Sequence, residues 1–376
     1  MDTKDQESRV SSQAQESMLP DSTMAPLSVE EMIEANGPAE AIELETGLPA
    51  VAPGAKQQKS PTPLQDSLRR LRKDKRAMAS LVVIILFVLI PIIGPLIYTH
   101  IGPLYNSPLN GLIGPAKYHS PFWQELTSQD QLFSSQYWLG TDSLGRDLLA
   151  RLMAGMLVSI FVALLVEIVD IVLGVTVGVL AGYYGGWIDQ VLARFTDIMF
   201  AFPGLLFAIL LTGIFGESAD TAFQHIPLVG ANGNARLILV SIALAFAAWP
   251  LMARFVRGQT LQLKEQQFIE AARTSGTNDF KIILRHIIPN LFSIVVVAAT
   301  LDISATVIGE AGLSYLGLGV QSPGSSIGVM IADASGSLAV HPWEVLLPSI
   351  VLAIIVLAFS FLGDGLRDAF DPRSKD

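Results

Sequence analysis

The chain has 376 residues, of which 51% are hydrophobic and 15% charged, a balance too apolar for an ordinary soluble domain. Its formal net charge of -10 argues against a basic nucleic-acid-binding face. With no cysteine, disulfides, thiolate metal sites and cysteine catalysis are excluded.

Residues 1–60 hold 11 acidic and 4 basic residues and are poor in aromatics, so they are expected to form a disordered acidic cytoplasmic tail. No signal peptide is expected, because the first long apolar run starts only near Ala77 and is too long for a cleaved leader. Six apolar runs follow, at 77–98, 155–181, 198–215, 237–255, 291–308 and 345–362. Each approaches the roughly 20 residues that a spanning helix needs, and none alternates as a membrane strand would. The predicted fold class is therefore an all-α integral membrane protein with six transmembrane helices and a cytoplasmic helical loop.

A basic cluster, Arg69, Arg70, Arg72, Lys73, Lys75 and Arg76, precedes the first run and holds that end in the cytoplasm. After residue 60 the predicted inner segments carry 16 Lys and Arg, and the outer ones only Lys117, Arg146, Arg151 and Arg236. Both termini are thereby predicted to be cytoplasmic, as is the polar stretch 256–290. The expected segments are the tail 1–60, a basic stretch with the first span over 61–98, and an outer loop over 99–154. A five-helix core over 155–366 and a cytoplasmic C-terminal tail over 367–376 complete the division.

Four groups of residues carry chemistry. In the outer loop, Asp142, Arg146 and Asp147 lie in the run LGTDSLGRDLLARL. They suit either an outer mouth that receives a partner or a capped turn entering the second span. In that span Glu167 and Asp170 share a helix face, continued at fourfold spacing by Gly174, Gly178 and Gly182. Carboxylates at that depth are expected to face protein or water, lining a pathway or packing in the bundle. Asp302 and Glu310 in the fifth span are candidates of the same kind. The fourth group is the inner segment QQFIEAARTSGTNDFKIILRHIIPN over 266–290. Phe268, Ala271, Ala272 and Ser275 fall on one helix face, Gly276 is a helix stop, Asn278 or Asp279 caps a second helix, and Pro289 bounds it.

That segment resembles the permeases of bacterial ABC importers, whose pattern is Glu-Ala-Ala, three residues, glycine, and a proline thirteen positions after the glycine. Here these are Glu270, Ala271, Ala272, Gly276 and Pro289. His286 and Ile288 depart from the general pattern in the manner of the dipeptide and oligopeptide branch. The resemblance extends over AGYYGGWID, AFPGLLFAI, GEAGLSYLGLG and FLGDGLRDAFDPR and is to the second of two paralogous permeases. It implies that the loop is a coupling helix docking on an ATPase. The implied partners are a paralogous permease, two ABC ATPase subunits and an extracytoplasmic binding protein, in a bacterial cytoplasmic (inner) membrane. It also implies import of di- or oligopeptides by alternating access, with nickel or glutathione as alternative cargo. No cofactor is expected on this chain, because it contains no Gly-Lys pair and so no phosphate-binding loop. ATP and Mg are expected on the partner ATPases.

Two readings of other classes compete. Glu167 and Asp170 would serve an ion-coupled secondary transporter. Ser326, in a Gly-x-Ser-x-Gly pattern, with His341 would serve an intramembrane serine protease, although the strand-to-helix elbow of that motif is missing.

Overall fold

A computed structural model describes residues 63–98, 120–122, 124–223 and 234–370. The expected acidic tail, Lys117, the first part of the expected outer loop and residues 371–376 lie outside the described residues. Ten helices organise the rest: α1 (Pro63–Leu71), α2 (Lys75–Tyr98), α3 (Leu148–Tyr184), α4 (Gly186–Ala201), α5 (Gly204–Phe223), α6 (Leu237–Lys264), α7 (Gln267–Thr274), α8 (Asp279–Tyr315), α9 (Ile327–Ala334) and α10 (Pro342–Phe370). Of these, α2, α3, α5, α6, α8 and α10 are long and apolar enough to cross a membrane.

Several predicted bounds are corrected. The second span begins at Leu148 rather than at residue 155, because Asp147 caps it by accepting bonds from the Leu149 and Ala150 amides. The third starts at Gly204 rather than residue 198. The chain turns extended at Phe202, just before Pro203, so residues 198–201 end the separate helix α4. The fifth begins at Asp279, twelve residues before the predicted 291, and runs through Pro289, which therefore does not bound a second helix. The turn Ile283–Ile287 is a π-turn in which the Ile288 amide donates to the Ile283 carbonyl. That widened turn accommodates a proline with no amide hydrogen to offer.

The tightest packing is between α3 and α6. A Cβ added at Gly174 would lie 2.6 Å from Met252 Cβ, at Gly178 2.6 Å from the Ala253 carbonyl oxygen, and at Gly182 2.7 Å from Thr260 Cβ. The glycines thus let two long helices approach to backbone contact, gaining dispersion where apolar burial drives little in lipid. Arg257 of α6 closes a bidentate pair with Asp189 of α4, Nε to Oδ1 at 2.5 Å and Nη2 to Oδ2 at 2.7 Å. Those bonds hold the Asp189 carboxyl below the usual carboxylate range.

Of five buried apolar clusters among the described residues, the two largest lie toward opposite ends of the bundle. Phe87, Tyr98, Met153, Met156, Ile327 and Ile355 join α2, α3, α9 and α10. Val179, Tyr183, Met252, Val256, Ile269, Ile282 and Ile287 gather the ends of α3 and α6 around α7 and the start of α8. Outward faces carry large apolar side chains such as Leu96, Leu205, Leu210 and Ile214, each more than half exposed, as a lipid-facing surface requires.

Candidate functional site

The helix α7 packs on the end of the bundle that the charge distribution predicts to be cytoplasmic, with most of its residues exposed. Its stop is a complete Schellman motif. The Thr277 amide donates to the Ala272 carbonyl at 3.1 Å and the Gly276 amide to the Arg273 carbonyl at 2.9 Å. Gly276 has φ +76°, and nothing lies within 4 Å of where a Cβ would stand. Glycine is therefore required here by backbone conformation and not by crowding. The Asn278 side chain accepts from the Phe280 amide and starts α8, as predicted for that position.

The face carrying Phe268, Ala271 and Ser275 points outward and is exposed, with Glu270 beside it, whereas Ala272, expected on the same face, turns inward and is partly buried against the cluster around Ile269. The inward anchor is Ile269, fully buried among Tyr183, Val256, Ile282 and Ile287. A polar clamp adds to it. The Tyr183 hydroxyl donates to Asp279 Oδ1 at 2.6 Å, and the Arg273 guanidinium lies 5.1 Å from the Tyr183 ring centre. Phe280 and Leu284, at least half exposed, extend the outward surface along the first turns of α8. Mechanically, α7 is an exposed knob fixed to α3, α6 and α8 at once. Sequence reasoning found the exposed residues but not Ile269 or Tyr183, whose roles depend on partners far along the chain. The single strongly apolar residue in α7 besides Phe268 was the available signal.

A second constellation lies in the bundle. Glu167 and Asp170 of α3 meet Asp302 of α8, with one oxygen of each within 4.8 Å of the others. Glu167 is 6% exposed and Asp170 1%, so both face the protein interior, and neither Glu167 oxygen has a hydrogen-bond partner. Asp302 is half-buried and pairs loosely with Thr306 Oγ1 at 3.5 Å. A cavity of about 1040 Å³ reaches Asp170 and Asp302 at one end and Gln259, Asn290 and Arg367 at the other. Asn290 precedes Asp302 by twelve residues, about 18 Å of helix, so the cavity runs from mid-bundle toward the α7 end. This arrangement can present carboxylates to a cationic group travelling along the bundle.

The remaining predicted residues sort differently. Glu310 is fully buried and accepts bonds from Ser159 Oγ at 2.9 Å and Ser314 Oγ at 2.7 Å, so it joins α3 to α8 and stands apart from the three carboxylates. Asp142, Arg146 and Asp147 are all buried. Asp142 is shared by Arg146 at 2.8 Å and Arg151 at 2.5 Å, and both arginines also reach Asp333 of α9 at 2.9 Å. Asp147 caps α3 and accepts from the Tyr98 hydroxyl at 2.9 Å. This is the capped-turn arrangement, an internal knot with little surface to offer a partner. Ser326 caps α9 and is fully buried, while His341 lies beside Asp130 and Glu344, so the geometry forms no serine–histidine dyad.

The comparisons fit this architecture. Residues 174–376 match the model of the binding-protein-dependent transport system inner membrane component family. Residues 62–110 match that of the N-terminal TM domain of oligopeptide transport permease C. The chain is similar to the oligopeptide transport system permease protein OppC of Escherichia coli K12, 38% identical over 311 residues, 83% of this chain and 91% of that protein. It is also similar to the dipeptide transport system permease protein DppC of Alkalihalophilus pseudofirmus, 34% identical over 332 residues, 88% of this chain and 97% of that protein. A third relative is the glutathione transport system permease protein GsiD of Escherichia coli O6:K15:H31, 36% identical over 314 residues, 84% of this chain and 92% of that protein. By its six long apolar helices and by these matches, the chain belongs to the family of binding-protein-dependent transport system inner membrane components.

Proposed function

We propose that the chain is the membrane subunit of an ATP-driven peptide importer and that α7 transmits the force of ATP hydrolysis from a separate ATPase. The observation that carries this is the exposed helix anchored through Ile269 to three long helices and ended by a positive-φ glycine. Peptide cargo is supported by the oligopeptide and dipeptide relatives. The glutathione relative keeps that small peptide-like solute as a second reading of the same site.

Energetically, a permease needs no covalent chemistry. It needs two packings of its helices and a partner that binds one of them better. The partners follow: an ATPase pair against α7, a second permease completing the pathway, and a binding protein on the opposite face. The charge asymmetry supports α7 and both termini on the cytoplasmic side. Glu167, Asp170 and Asp302 then lie on the route of the solute, within reach of the cavity that runs toward the cytoplasm.

The test is substrate-stimulated ATP hydrolysis by the assembled complex in lipid vesicles. Ala271→Glu adds bulk and charge to the exposed face of the docking helix and leaves the Ile269 anchor untouched. The expected result is an assembled complex whose basal hydrolysis persists while stimulation by loaded binding protein is lost. Normal stimulation in that variant would reject the coupling role of α7.

A further inference from the structure

On the opposite side of the bundle from α7, three potential metal ligands converge from segments far apart in the chain. Asp130 follows the short turn Leu126–Ser128, His341 immediately precedes α10, and Glu344 sits in the first turn of α10. His341 Nδ1 is 3.5 Å from Asp130 Oδ1 and 3.7 Å from Glu344 Oε1, and one ligand atom of each residue lies within 4.8 Å of the others.

Glu344 is 1% exposed, and its carboxyl group faces a second carboxyl, that of Asp130, and the His341 imidazole, with no other donor to its oxygens or to Asp130 Oδ1. Burying a carboxylate without compensation is costly, so the position calls for a positive charge between the three groups. The separations are too long for charge-assisted hydrogen bonds, which run about 2.7–2.9 Å. They are close to the spacing set by a shared ion, since bonds of about 2.0–2.2 Å in a tetrahedral arrangement put ligand atoms roughly 3.3–3.6 Å apart. Asp130 is held in the left-handed region at φ +51°, and its amide is tied to the Asp142 carbonyl at 3.1 Å. The buried ion-pair knot therefore fixes the loop that aims this carboxylate. His341 and Asp130 keep side-chain exposures of 26% and 30%, which gives an ion a way in.

We propose that Asp130, His341 and Glu344 form a binding site for one divalent transition-metal ion of the zinc type. One imidazole and two carboxylates suit zinc, cobalt or nickel better than magnesium or calcium, which favour all-oxygen shells. Three protein ligands leave a fourth position open on the exposed side. The bound ion would staple the start of α10 to the loop before α3, on the face where a binding protein would dock.

The experiment uses the full assembled complex, chelator-stripped and free of nucleotide so that the ATPase sites hold no metal. Cobalt(II) is titrated as a visible probe and then displaced with zinc. The wild type is expected to bind one cobalt ion per chain that zinc displaces and magnesium does not. His341→Ala and Glu344→Gln should each weaken that binding by more than about 100-fold, beyond the loss of an outer-shell partner. Because this chain has no cysteine, His341→Cys supplies a new thiolate ligand, and binding should return with a sulfur-to-cobalt charge-transfer band absent from the wild type. Equal cobalt binding by wild type, His341→Ala and Glu344→Gln would overturn the proposal. So would a wild type that binds none. Equal displacement by magnesium would overturn the assignment to a transition metal.

Discussion

At the scale of single residues, two features set sharp expectations. Asp142 is 3% exposed and is the inner carboxylate shared by Arg146 and Arg151, whereas the Asp333 side chain that closes the same knot is 38% exposed. Removing the buried partner leaves two guanidinium groups, shielded from water, sharing the single carboxylate of Asp333. Asp142→Asn should therefore lower unfolding stability by about 3–5 kcal/mol, and Asp333→Asn by clearly less, since water can replace an exposed partner. Thermal unfolding in detergent measures both, and equal losses would contradict the knot as described. Gly276 is the second feature. With φ +76° and empty space around it, the position rejects a branched side chain through backbone strain alone. Gly276→Asn should retain most substrate-stimulated ATPase activity, because asparagine tolerates this conformation, while Gly276→Val should lose it. If asparagine and valine behave alike, crowding by a partner and not backbone geometry governs the site. The helix stop at Gly276 was legible in the sequence, because a glycine after a helical run has a local cause. The knot was not. Asp333 joins Arg151 across 182 positions, and no local pattern encodes that.

At the scale of elements, the glycine stripe of α3 is the interface most sensitive to volume. A side chain at Gly178 would run into the Ala253 carbonyl and Val256 Cβ, at 2.6 and 2.8 Å from its Cβ. Gly178→Leu should force α3 and α6 apart, costing about 1–3 kcal/mol and reducing assembled complex on size-exclusion chromatography. Leu96→Ala, at a 67% exposed position of α2, should leave assembly unchanged. Assembly that ignores Gly178→Leu would mean that α3 and α6 do not meet along this stripe. Fourfold spacing made the stripe readable, and the partner helix was invisible until the fold supplied it. Proline and glycine were weaker guides to where helices end. Pro289 reads as a boundary, yet the π-turn Ile283–Ile287 carries the helix past it. The apolar run over residues 198–215 continues through Pro203, yet the chain breaks there between α4 and α5. The short helix α9 leaves no periodic signal in the sequence, since eight residues give too few turns for an apolar period to stand out.

At the scale of the whole molecule, six apolar runs sufficed to predict a bundle because lipid leaves the backbone few alternatives to helix. Membership of the transport family is shown by the match over residues 174–376, within which the motif at residues 270–276 lies on a largely exposed helix and turn. What could not be read was convergence: Asp302 joining Glu167 and Asp170, or Asp130 joining His341 and Glu344, each across more than a hundred residues. The carboxylate cluster in the bundle gives a further expectation. Asp302→Asn keeps shape and removes a charge, so the complex should assemble and couple yet carry peptide more slowly, and an unchanged maximal uptake rate would take Asp302 off the route. The central claim is that this chain converts ATP hydrolysis on partner subunits into inward movement of peptides through α7. It is tested most directly by uptake of a labelled tripeptide into proteoliposomes holding the complete complex, with and without ATP on the cytoplasmic face. The account predicts accumulation that requires both ATP and the binding protein and that disappears in Gly276→Val although the complex is intact. Accumulation driven by an ion gradient without ATP, or undiminished in that variant, would contradict it.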